Sequence, residues 1–267
     1  KMYQPKLYRL LDIFFRKTLA ISPVLRYKDM QQVTEALDEL IKAADIDGTY
    51  LIDSFQYNSA NFVGRDDELE EINDILEENQ LVFLSGIGGI GKTELAKRYV
   101  KQYRSRYNTA IFSVFESSIR SLVCDDIRIN RLDRDEDEPE EDYFRRKIEA
   151  LKNVATKDDI IIIDNFDVDY DESLEILFSC PCKFIITTRM DFRDYNYEQI
   201  MVDRISNPDD VLSLFYAYND TPYSDDEYES VMKLFEYIDY HTMTVELIAK
   251  YLRNSNESPT VLYERFL

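Results

Sequence analysis

An α/β fold, a parallel sheet covered by helices on both faces, is predicted by two features of this 267-residue chain. From residue 62 onward, short apolar runs alternate with amphipathic helical stretches, which argues for parallel strands joined by helical crossovers. Between the first run, Leu81-Val82-Phe83-Leu84, and the helical stretch after it lies Gly86-Ile87-Gly88-Gly89-Ile90-Gly91-Lys92-Thr93. That is a complete G-x-x-x-x-G-K-T phosphate-binding loop with the right flank on each side. The expected class is therefore a P-loop NTPase sheet, preceded by a helical N-terminal segment and followed by a small all-helical domain.

The elements follow in order. Residues 6–20 place Leu7, Leu10, Leu11, Phe14 and Phe15 on one helical face, and Ser22-Pro23 ends it. A second helix over about 29–44 aligns Val33, Ala36, Leu37, Leu40, Ile41 and Ala44. Asp45 to Asn61 is irregular and contains Gly48. A helix of about 66–79 turns Leu69, Ile72, Ile75 and Leu76 inward, ahead of the first strand and the phosphate loop. Further strands are expected at 110–115, 160–163, 183–187 and 199–202, with helices at about 142–155 and 171–178. After Asp203 only helices remain: from Asn207-Pro208 with Val211, Leu212, Leu214 and Phe215; over 225–238 with Val231, Leu234, Phe235 and Ile238; over 242–253; and from Pro259. The domain boundaries read as 1–60, 61–204 and 205–267.

Composition narrows the function. At 45% hydrophobic and 32% charged the chain is an ordinary globular protein. No apolar run nears the ~20 residues of a membrane span, and the charged N-terminus is no signal peptide. The chain starts at Lys1, which predicts a fragment of something longer. A net charge of −21 repels phosphate backbones, so nucleic acid is not the expected partner. The run Asp133-Arg134-Asp135-Glu136-Asp137-Glu138-Pro139-Glu140-Glu141-Asp142 reads as a solvated acidic loop or disordered insert; it lacks the ligand spacing of a calcium loop. Cys124, Cys180 and Cys182 make no disulfide framework and no zinc spacing, which suits reduced thiols in the cytoplasm. His241 is the single histidine, so triads and histidine metal sites are excluded.

Three motifs carry chemistry. The loop's N–H groups and the positive end of the following helix dipole favour phosphate. Lys92 would reach the β- and γ-phosphates, and the Thr93 hydroxyl would ligate Mg²⁺. Asp164 ends a strand of four isoleucines, where α/β sheets place ligands, and could hold Mg²⁺ through water. Asn165 stands where hydrolysing relatives often carry an acid, and an amide cannot take a proton. Asp167 is the weaker candidate for that base. Thr187-Thr188-Arg189 closes the next strand, where Arg189 could bond a γ-phosphate or simply pair with a surface acid.

Val63-Gly64-Arg65-Asp66-Asp67-Glu68, the phosphate loop, Ile160 to Asp164 and Lys183 to Arg189 together resemble the NB-ARC branch of the STAND signal-transduction ATPases. The resemblance covers about residues 61–255. It implies that Val63 and Arg65 line an adenine pocket. It implies that Gly86, Gly88, Gly89, Ile90, Gly91, Lys92 and Thr93 hold phosphates, with Thr93 and Asp164 at Mg²⁺, and that Glu94 belongs to the nucleotide-binding set. Thr188 and Arg189 would then read the γ-phosphate, and Lys92, Asp164 and Arg189 would be the catalytic set. The family closes its helical module over the base with Gly-x-Pro. Here Tyr240-His241-Thr242-Met243 lacks both residues, so His241 or the Thr242 region would contact the nucleotide instead.

The implied function is an ATP/ADP switch with slow hydrolysis that moves from a closed to an open, self-assembling state in signalling or immune defence. Effector and sensor modules outside this sequence would be its partners. Abundant Ile, Asp, Asn and Tyr point to an AT-rich bacterial genome. The rivals are an AAA+-like motor or kinase with continuous turnover, and a nucleotide-binding scaffold without hydrolysis. Asp164-Asn165 in place of Asp-Glu, and no arginine cluster after the third motif, disfavour the motor and the kinase.

Overall fold

The computed structural model describes residues 5–20, 22–43, 49–57, 61–192, 197–255 and 257–267. The chain divides into two compact units, Lys1–Tyr50 and Leu51–Leu267. In the first, α1 (Pro5–Thr18) and α2 (Met30–Ala43) are the two expected helices. Leu40 is buried, but Phe15 and Leu37 are exposed, because a pair of helices cannot enclose every apolar side chain of either. The side chains of Leu7, Leu10 and Ile41, together with Ala44 and Gly48, lie outside the described residues.

In the second unit, α3 (Asp66–Glu78), β1 (Leu81–Ser85), α4 (Lys92–Gln102), β2 (Thr109–Val114), α5 (Ile119–Asp125), α6 (Glu140–Val154), β3 (Asp159–Asp164), α7 (Leu174–Phe178), β4 (Lys183–Thr188) and β5 (Gln199–Met201) follow in order. The strands form one sheet, β2-β3-β4-β1-β5, and every pairing is parallel. The isoleucine strand shows why both faces need cover. Ile161 and Ile163 join Phe83, Phe184 and Ile186 in one core layer with α5 and α6. Ile160 and Ile162 join Val82, Leu84 and Ile185 in the other, against Leu69 and Ile72 of α3 and Leu95 and Tyr99 of α4.

The acidic run is partly helix. Glu140, Glu141 and Asp142 are the first turn of α6, where the helix dipole favours carboxylates, and Glu138 pairs with Arg146 at 2.7 Å. Helix α5 has no counterpart among the expected elements. It is seven residues long and set by its cap, in which Ser118 accepts from the Ser121 N–H. The segment 51–57 runs to the outer edge of β2, with the Ser54 and Phe55 N–H groups on Ala110 O.

The chain then turns fully helical: α8 (Pro208–Tyr218), α9 (Asp225–Tyr237), α10 (Thr242–Asn254) and α11 (Pro259–Phe266). Each starts on a recognisable signal: Asn207 and Ser258 caps with Pro next in line, the Ser224–Glu227 capping box, and His241 as cap of α10. Val211, Phe215, Val231, Leu234, Phe235, Val245 and Ala249 give this bundle its own core. Among the described residues no helix is long and apolar enough to cross a membrane.

Candidate nucleotide site

The parallel order puts the carboxyl ends of β1, β3 and β4 side by side, and the candidate residues leave the sheet there. β1 runs into the phosphate loop at Gly86, whose φ of +148° lies in glycine's territory; a Cβ there would collide with the Val202 carbonyl oxygen. Gly91 caps α4 at φ +106°. Lys92 is buried, and its ammonium donates to Gly86 O and Ile87 O, each at 2.9 Å. Burial lowers its pKa; Asp167 and Asp164 oppose that shift and Arg189 adds to it.

Asp164 is buried at the end of β3. Its Oδ1 accepts from Thr93 Oγ1 at 2.6 Å and from Thr187 Oγ1 at 2.6 Å. Its Oδ2 makes no hydrogen bond among the described residues. Asn165 follows at φ +60°, a left-handed conformation that Asn accepts more readily than most residues. Its N–H donates to Thr187 Oγ1 at 3.0 Å. Thr187, not Thr188, is thus the threonine at this centre. Neighbouring strand residues point to opposite faces, and Thr188 is buried with its hydroxyl accepting from the Met190 N–H at 2.9 Å. Arg189 contacts Asp167 with Nε on Oδ2 at 2.6 Å.

A cavity of about 880 Å³ opens at this end of the sheet, beside Asn165, Asp167 and Arg189, within the range of small-molecule sites. Val63, Arg65, Gly88, Gly89, Gly91, Lys92, Thr93, Glu94 and Arg189 line it together; Gly86, Ile90, Thr188 and the buried Asp164 do not, and Asp164 reaches the wall only through the Thr93 hydroxyl. Ile90 instead buries its side chain in the core and offers its carbonyl to Arg65 Nη2 at 2.8 Å and to Thr242 Oγ1 at 3.1 Å. Arg65 also donates to Asp203 O at 2.8 Å and pairs with Glu68 at 2.9 Å, so its guanidinium ties the lead segment to the loop. Burial lowers its pKa, with Glu68 opposing. The sequence did not single out Phe62, Phe115 and Tyr218 at the cavity wall, and only their aromatic character signals them.

His241 lies on the far side of the loop and lines a separate cleft with Ile87 and Asp239. Its Nε2 is 2.8 Å from Gly88 O, and its Nδ1 accepts from the Thr244 N–H that it caps, at 3.4 Å. Donation from Nε2 fits that tautomer. The next residues make the cavity contact: Thr242 and Met243 both line it, and the Met243 N–H donates to Gly89 O at 3.1 Å. Gly89 is required here, since at φ +76° an added Cβ would sit 2.9 Å from His241 Cε1 and 3.0 Å from Met243 Cβ.

The residues present fit a nucleotide with a divalent metal. Glu94 Oε2 is buried on the cavity wall without a hydrogen-bond partner, an acceptor awaiting a donor. Among the described residues no three His, Cys, Asp or Glu side chains cluster to hold a metal by themselves. A magnesium ion would share the Thr93 hydroxyl and Asp164 with phosphate oxygens and water, the shell Mg²⁺ prefers. Thr93 could do this through an oxygen lone pair while its O–H still donates to Asp164 Oδ1.

A phosphate loop between the first strand and its helix, with an aspartate on β3 and an arginine after β4, defines a P-loop nucleotide-binding fold. Within that class the chain belongs to the NB-ARC family, whose domain matches residues 65–220. Among solved structures, a Walker-type ATPase of Pyrococcus abyssi is similar in fold at 15% identity, with a TM-score of 0.52 over 77% of this chain and 71% of that one. A signal transduction ATPase with numerous domains and a tetratricopeptide repeat sensor, from Pyrococcus horikoshii, aligns at 20% identity and a TM-score of 0.49. That alignment covers 79% of this chain and spans 33% of the Pyrococcus horikoshii protein. No curated protein sequence matches the chain.

Proposed function

We propose that this chain holds ATP or ADP with Mg²⁺ at the phosphate loop and acts as a nucleotide-controlled switch of the STAND type, with slow hydrolysis. The observation that carries the reading is that one loop serves two purposes. Its cavity side presents Lys92, Thr93 and the α4 N-terminus to phosphates. Three of its carbonyls, Gly88, Gly89 and Ile90, bond to His241, Met243 and Thr242 at the start of α10. Phosphate occupancy therefore bears directly on how the helical bundle is seated. The energies suffice: a swing from 1:99 to 99:1 needs ~5.5 kcal/mol of differential binding, and a charge-assisted hydrogen bond contributes roughly 1.5–3 kcal/mol.

In this reading residues 61–204 bind nucleotide and residues 205–267 close over it. The ADP form is closed, and the ATP form opens and self-assembles in a signalling or defence pathway. ATP and ADP binding by wild type and Lys92→Ala tests the site. Equal Mg-ATP affinity in the two proteins would refute it. Size distributions with ADP and with a non-hydrolysable ATP analogue then test assembly.

Asn165 supports a second reading, a nucleotide-binding scaffold without hydrolysis, because an amide beside Asp164 cannot accept a proton from water. Single-turnover phosphate release separates the two: measurable slow release favours the switch, and none over hours favours the scaffold.

A further inference from the structure

Arg189 is held at one end and free at the other. Its backbone N–H donates to Asp167 Oδ1 and its Nε to Asp167 Oδ2, both at 2.6 Å. Its terminal nitrogens, Nη1 and Nη2, make no hydrogen bond among the described residues. The stem crosses the phosphate loop: a Cβ placed on Gly88 would lie 4.0 Å from Arg189 Cδ. Asp167, Arg189 and Lys92 line the same cavity.

A built turn brings Asp167 to this place. Asn165 adopts φ +60°, Phe166 is fully buried with its N–H on Thr187 O at 2.9 Å, and the Asp167 N–H donates to Asn165 O at 2.8 Å. The Asp167 side chain is 18% exposed while that of Arg189 is 63% exposed. The carboxylate is thus the fixed partner and the arginine the group being steered.

We propose that Asp167 is a positioning residue that aims Arg189 at the terminal phosphate of a bound nucleoside triphosphate, and so sets the preference for triphosphate over diphosphate. The inference rests on the nucleotide-site reading above. A guanidinium offers five donors in a rigid plane. Fixing Nε leaves the Nη fork as the only donors to present, and pre-ordering a long side chain removes rotamer entropy that binding would otherwise lose. Two other roles for Asp167 predict different results. A carboxylate competing with phosphate for Arg189 would raise triphosphate affinity when removed. A proton acceptor for water would change turnover and leave the affinity ratio alone.

The test is a double-mutant cycle. The affinities of an Mg²⁺-bound non-hydrolysable ATP analogue and of Mg-ADP are measured for wild type, Asp167→Ala, Arg189→Ala and the double variant. Asp167→Ala is expected to weaken triphosphate binding by about three- to tenfold, the scale of a partly exposed ion pair. It should leave ADP nearly unchanged and add nothing once Arg189 is gone. Asp167→Asn keeps an acceptor for the Arg189 N–H and serves if the alanine variant fails to fold; it should shift the ratio in the same direction. An unchanged or increased triphosphate preference overturns the proposal. So does equal loss of both nucleotides in both Asp167 variants, or a full effect in the Arg189→Ala background. Wild type binding neither nucleotide would instead refute the site itself.

Discussion

Single residues at this site act through hydrogen bonds that the sequence could only half reveal. The resemblance points to Thr188 at this strand end, and the pleat puts Thr187 at Asp164 instead. Thr187 donates to Asp164 and accepts from the Asn165 N–H; Thr188 faces away. Thr187→Val removes both bonds at nearly constant volume and leaves a backbone N–H unpaired. The expected loss is about 1–3 kcal/mol, read as a lower urea midpoint with an unchanged m-value. Lys92 gives a pH signature. Burial holds its pKa below the usual 10.5, so the folded chain loses this proton at lower pH than the unfolded chain. The burial cost is present in full at neutral pH, where Lys92 is charged in both states, and is relieved as pH rises through the depressed value. Phosphate favours the charged amine, so nucleotide affinity runs the other way. ADP affinity should stay flat through neutral pH and fall before 10.5; a titration with Lys92→Arg, which keeps its charge, should lack that fall.

At the scale of elements, the strands were legible because each is a short apolar run between turn signals, and the phosphate loop because its spacing is fixed by chemistry. Helix α5 was not, since seven residues carry too little periodicity to stand out. His241 was legible as important but not as to its partner. The sequence offers it to the base, whereas the α10 N-terminus turns it to Gly88 O and turns Thr242 and Met243 to the cavity. No local pattern encodes that rotation, because it depends on how a bundle with its own core meets a loop about 150 residues earlier. Gly89 is where the two elements touch, and Gly89→Ala puts a methyl group there in a left-handed conformation. The conformational cost alone is roughly 1–2 kcal/mol, and the methyl group would also press on His241 and Met243. Hydrogen exchange should report it: the Met243 amide, bonded to Gly89 O in the wild type, is expected to lose protection while amides in β3 keep theirs. Equal change in both would mean global destabilisation and not local unseating of α10.

The whole molecule sets a last condition on ligand binding. The chain carries a net charge of −21, and the cavity does not invert that field. Glu94, Glu116, Asp167 and Glu246 line it against Arg65, Lys92 and Arg189, and two of those cations are already paired, Arg65 with Glu68 and Arg189 with Asp167. A free polyphosphate would therefore approach against repulsion and reach a site whose attraction is short-ranged, built from loop N–H groups and a helix terminus. A divalent cation would change both terms: it would reduce the ligand's charge, and Thr93 and Asp164 are the residues that would hold it. Two measurements follow from that balance. Chelating Mg²⁺ should weaken ATP binding more than ADP binding, because ATP carries the greater uncompensated charge. Raising ionic strength should speed association of Mg²⁺-free nucleotide, since added salt shortens the Debye length from about 10 Å at 0.1 M to about 3 Å at 1 M and screens the repulsive field. Most nucleotide sites are attractive at long range and lose on-rate with salt. A stopped-flow series that shows such a loss here would mean that Lys92 and Arg189 dominate the field at the cavity mouth despite the acidic surface around them.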